Sequence, residues 1–117
     1  MTLRFRQALD TVTRVRGVRG SMLVAGDDGL VIAEALMEGV RGNAVAALAA
    51  SLYARLRRTS ERTGAGAPEF LHLQADRGTL IVVPAPDGVL VVTIADADVN
   101  VGLVRLEMLR AADAVSR

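Results

Sequence analysis

Apolar residues recur at spacings of three and four in three stretches of the chain, and elsewhere they gather in short runs bounded by Gly, Asp and Pro. Phe5, Ala8, Leu9, Val12 and Val15, separated by Arg, Gln, Asp and Thr, predict an amphipathic helix that ends before Gly17. From Ser21 the pattern changes to two β-prone runs, residues 22–25 and 30–33, joined by Gly26-Asp27-Asp28-Gly29. Asp-Gly tolerates the positive φ of a tight turn, so this segment predicts a hairpin. Residues 70–75, 80–83 and 89–94 predict three more strands, separated by Asp76-Arg77-Gly78 and by Pro84-Ala85-Pro86-Asp87-Gly88. Connections this short force antiparallel pairing and exclude a Rossmann-type sheet, because a parallel crossover needs a dozen or more residues. Residues 43–62, without internal Gly or Pro, predict a long helix with Asn43 as its N-cap. Val101, Val104, Met108, Ala112 and Val115 predict a last helix over residues 100–116.

The order is therefore α-β-β-α-β-β-β-α. Residues 80–83 and 89–92 are apolar on both pleat faces, so both faces of the sheet need a cover, and three helices are available to supply it. The expected fold class is α/β: one domain over residues 1–117, with a five-stranded antiparallel sheet and helices on both faces. Phe70, His72 and Gln74 alternate with Leu71, Leu73 and Ala75, a two-sided pattern that places this strand at a sheet edge, where it can recruit a partner strand.

The middle helix has more apolar surface than one sheet can cover. At about 100° per residue, Val45, Leu48, Ala49, Leu52 and Leu56 form one stripe, read as the sheet-facing core. A second stripe, Ala46, Ala50, Tyr53 and Ala54, has small side chains that let another helix come close, and it is read as a homodimer seam continued by Arg57. The third face, with Ala47, Ser51, Arg55 and Arg58, combines small residues with Arg and faces solvent.

Composition narrows the function. Apolar residues make up 51% of the 117-residue chain, enough to fold without disulfides, and there is no Cys. Fourteen basic residues, all Arg, oppose thirteen acidic ones; a net charge of +1 supplies no field for nucleic acid or anionic lipid. The longest unbroken apolar run, residues 44–50, is far short of the ~20 residues of a membrane crossing, so no membrane insertion is expected and the chain reads as cytoplasmic.

Gly17-Val18-Arg19-Gly20-Ser21, the Asp28-Gly29 turn leading into Leu30-Val31-Ile32-Ala33, the Ala-rich helix, the Asp-Gly-bounded strands and Asn100-Val101-Gly102-Leu103 opening the last helix follow one another in an order that resembles the roadblock family of dynein-associated light chains. The resemblance covers nearly the whole chain. That family includes MglB-like partners of small Ras-like GTPases and is related in fold to profilin. The resemblance implies a homodimer in which the middle helix and the third strand face their own copies, joining two sheets into one of ten strands, with Phe70, His72 and Gln74 in the seam. It also implies a GTPase partner that docks and is reorganised, without an inserted arginine finger.

Catalytic and cofactor chemistry finds no motif. A phosphate loop needs Gly-rich backbone between strand and helix followed by Lys, and the chain has no Lys. Asp27-Asp28 and Asp96-Asp98 stand where turns and caps favour Asp, and His72, the single His, has no nucleophile motif beside it. No catalytic, cofactor or metal residue is assigned and no enzyme activity is expected. The expectation is a homodimer that docks a small Ras-like GTPase through Ala47, Ser51, Arg55 and Arg58 and modulates its nucleotide cycle, with a structural adaptor for a motor or sensor kinase as the alternative.

Overall fold

The observed elements follow the expected order in a computed structural model that describes residues 2–115. They are α1 (Thr2–Thr13), β1 (Val18–Ala25), β2 (Val31–Leu36), α2 (Gly42–Arg62), β3 (Leu71–Ala75), β4 (Gly78–Pro84), β5 (Val89–Ala95) and α3 (Val101–Val115). Ser116, expected at the end of the last helix, lies outside the described residues. The strands form one antiparallel sheet in the order β2-β1-β5-β4-β3.

Alternation along the central strands divides the interior in two. Leu23, Ile81, Val83 and Val91 point to one face, where Leu9 and Val12 of α1 and Val104 and Met108 of α3 cover them. Met22, Val24, Leu80, Val82, Leu90 and Val92 point to the other face, where Ala46, Ala49, Ala50 and Tyr53 of α2 meet them. The result is the three-layer sandwich that apolar residues on both pleat faces require. Buried Ser21 and Thr93, adjacent on β1 and β5, satisfy each other at 3.1 Å.

Local corrections accompany this agreement. Asn43 is not the N-cap: α2 starts at Gly42, and Arg41, at the cap position, makes no side-chain cap bond. The larger correction concerns the orientation of α2, turned roughly a quarter of a revolution from the expected one. Ala46 and Ala49 are fully buried and Ala50 and Tyr53 nearly so, against the sheet of their own chain. Leu48 is 59% exposed and Leu56 37%. The cause lies in the β1–β2 turn. Gly29 adopts φ +75°, and a Cβ placed there would stand 3.1 Å from the Cα of Ala47 and 3.5 Å from the Cβ of Ala50. The helix backbone rides so close to this turn that only Ala fits beneath it, and the larger Leu side chains rotate outward.

Candidate interaction surface

The two edges of the sheet differ. β2 pairs with β1 through a register shift at Leu23/Val24, where Ile32 is the extra residue of a bulge, a device that discourages further strand addition. β3 pairs with β4 without interruption from Leu71 opposite Val82 to Ala75 opposite Gly78, and its other side carries no strand among the described residues. Phe70, His72 and Gln74 lie together along this edge, as expected. Phe70 packs on the α1/α3 core, its ring centroid 6.3 Å from that of His72, with the Arg105 guanidinium 4.6 Å above it. Gln74 Nε2 donates to the Ala97 carbonyl at 3.0 Å.

Leu71 and Leu73 pair with Val82 and Leu80, so they share the face that α2 covers only in part. Leu73 is 47% exposed, and with Leu48, Leu52 and Leu56 of α2 and half-buried Ile94 of β5 it leaves large apolar side chains open on that side of the sheet. Large apolar side chains gathered and exposed in this way make the face a candidate association surface.

The residues expected to dock a partner are all exposed. Ser51 and Arg55 point directly away from the sheet, with Ala47 and Arg58 on one flank of that line. Arg57 Nε stands 3.5 Å from Glu61 Oε1, whereas Arg55, Arg58 and Arg62 make no ion pair among the described residues. Of the residues expected in the helix part of the seam, Ala46, Ala50 and Tyr53 are buried against the sheet of their own chain. Ala54 and Arg57 face the end of the sheet where the β4–β5 turn lies, away from the Leu flank. Leu48 and Leu56, assigned to the core from sequence, and Leu73, not singled out there, are all exposed; the signal present was the Ala46-Ala49-Ala50 spacing opposite Gly29.

Tyr53 donates its hydroxyl to the Pro68 carbonyl at 2.9 Å, fastening the loop before β3 to α2. Burial raises its pKa above the usual value; Arg57 opposes the shift and Glu61 adds to it. A raised phenol pKa contributes stability that is complete below the ordinary value of about 10 and is lost as pH rises through the folded-state value. Tyr53 is the single Tyr, so phenolate absorbance reports it alone. Its titration midpoint should lie above that of the urea-unfolded chain; coincident midpoints would show the hydroxyl to be free.

One member of each acidic pair serves the fold. Asp28 Oδ1 accepts from the Leu30 N–H in the β1–β2 turn, and Asp96 pairs with Arg19 at 2.6 Å. Among the described residues no three His, Asp or Glu side chains gather as metal ligands, and no helix is long and apolar enough to cross a membrane.

Comparison with known proteins sets this surface in context. The profile of the Roadblock/LC7 domain matches residues 5–95. An uncharacterized protein of Methanocaldococcus jannaschii is 41% identical over 104 residues, 89% of this chain and 86% of that protein. Among solved structures, an MglB protein with a tetrameric arrangement superposes with a TM-score of 0.90 at 26% identity, covering 99% of this chain and 88% of that one. The Roadblock/LC7 domain from Streptomyces avermitilis gives 0.85 at 23% identity, covering 94% and 92%.

Proposed function

The chain belongs to the Roadblock/LC7 domain family, and on that premise we propose that it is a cytosolic homodimer that binds a small Ras-like GTPase and biases its nucleotide cycle. The family and its MglB neighbours support a regulatory or adaptor role, and the family is generally non-enzymatic. In this reading a second copy covers Leu48, Leu52, Leu56 and Leu73 and adds its β3 to the unbulged edge beside Phe70, His72 and Gln74. Each half of the seam removes from water leucines that the monomer leaves open, each contributing about 1.5–3 kcal/mol if fully transferred. Two α2 helices brought together at the symmetry axis then present their Arg55 and Arg58 side by side.

The observation that carries the docking reading is this row: exposed, set among small side chains, and without ion pairs that would hold the guanidinium groups back from a partner. Regulation follows as a population shift, in which the dimer fits the switch conformation of one nucleotide state better than the other. Reversing charge at both positions, Arg55→Glu with Arg58→Glu, should weaken binding of the cognate GTPase about tenfold or more, a loss of about 1.4 kcal/mol or greater, while the exposed sites leave folding within about 0.5 kcal/mol. Calorimetry checks it, and unchanged affinity would move docking to another face.

A further inference from the structure

α3 keeps its smaller side chains for its own chain and turns leucines outward. Val104, Met108, Ala111 and Ala112 are buried in the core shared with α1, whereas Leu103, Leu106 and Leu109 are 44%, 45% and 43% exposed. At about 100° per residue, Gly102, Leu106, Leu109 and Asp113 form one line pointing away from the core, with Leu103 beside it. This line lies on the opposite side of the sheet from α2 and its Leu flank, so a contact here does not compete with one there.

The line is symmetric about a point between Glu107 and Met108. A second copy of α3 laid antiparallel across that point sets Leu106 opposite the partner's Leu109 and Gly102 opposite the partner's Asp113, at both ends of the contact. The charges favour the same arrangement. α3 has no acidic residue in its first turn and no basic one in its last, and Asp113 stands near its C-terminal end, where the helix dipole disfavours a carboxylate. An antiparallel copy carries that carboxylate to the first turn of the other helix, where the dipole favours it and Arg105, one turn along, offsets Asp98 before the helix. Gly102 leaves the approach open: a Cβ placed there would meet only Asn100 Oδ1, at 3.6 Å. Arg105 and the partner's Arg110 come to one level but on opposite flanks of the contact, and Arg110 is already paired with Glu107 at 3.0 Å.

We propose that α3 is a second contact between copies of this chain, an antiparallel helix pair that joins dimers to one another. It goes beyond the docking reading and takes from it only the first dimer. One helix line with three partly open leucines makes a contact of the small class, under about 1,200 Å² in total, which supports weak, reversible association. Each dimer carries two such lines, so assembly proceeds past two chains as concentration rises. Sedimentation across a concentration series should show the parent chain passing two chains while Leu106→Glu combined with Leu109→Glu stops at two, with unchanged circular dichroism. The chain has no Cys, so engineered disulfides report the register. Oxidation of mixed Leu106→Cys and Leu109→Cys chains should give the mixed disulfide in about fivefold or greater excess over either like pair, because the bond needs Cα atoms within about 7 Å. If the Glu variant loses its circular dichroism, the disulfide ratio decides alone. The same limiting mass for the parent chain and a folded Glu variant, or like-position disulfides in excess, would overturn the proposal. A parent chain that reaches two copies and a Glu variant that stays single would keep the α3 contact and sink the seam placed on the Leu flank.

Discussion

Ala50→Glu should unfold the domain rather than merely separate two copies. Ala50 is 6% exposed and faces the cluster of Met22, Val24, Leu90 and Val92, with no polar group to receive a carboxylate. The Gly29 turn closes over Ala50, so close that a Cβ added at Gly29 would lie 3.5 Å from that of Ala50. Overpacking costs about 1–3 kcal/mol, and an unpaired buried carboxylate adds several more or must bind a proton. Against a total stability of about 5–15 kcal/mol, that loss removes most or all of the folded population. Urea unfolding followed by circular dichroism decides it; a variant with the midpoint of the parent chain would show α2 to be turned the other way.

The opposite outcome is expected at positions that hydrophobicity alone assigns to the core. Leu56→Glu combined with Leu73→Glu should leave a folded monomer. Leu56 is 37% exposed and Leu73 47%, so each carboxylate can turn to solvent and the cost to the domain stays at about 1 kcal/mol per site. At a two-fold seam each substitution occurs twice, and four carboxylates would crowd an apolar contact. Losing the leucine transfer energy and desolvating those charges should raise the dimer dissociation constant about a hundredfold or more, close to 3 kcal/mol. Sedimentation across a concentration series gives the constant directly. A double variant that associates as tightly as the parent chain would place the seam elsewhere.

The contrast between these two substitutions marks what the sequence made legible. The element order, the antiparallel sheet and the edge position of residues 70–75 followed from run length, alternation and turn residues, all properties of neighbours along the chain. The Asp28-Gly29 turn was readable because its backbone demands are local. The orientation of α2 was not, because side-chain size is a poor guide where a helix lies close to a turn: Gly29 and Ala47 are far apart in sequence, and their contact decides which face can be buried. The Arg55 and Arg58 row was legible from helical spacing, and Arg57 proved to be held by Glu61 one turn on.

A regulatory dimer differs from an inert one by a difference in affinity, because a protein that binds both nucleotide states equally shifts neither. The most direct measurement is therefore calorimetric titration of the unmodified chain with the Ras-like GTPase of the proposed function, loaded in turn with GDP and with a non-hydrolysable GTP analogue. The expected result is one GTPase for every two chains, with one nucleotide form bound about tenfold or more tightly than the other, a coupling of about 1.4 kcal/mol. Equal affinity for both forms, or no binding of either, would contradict the account.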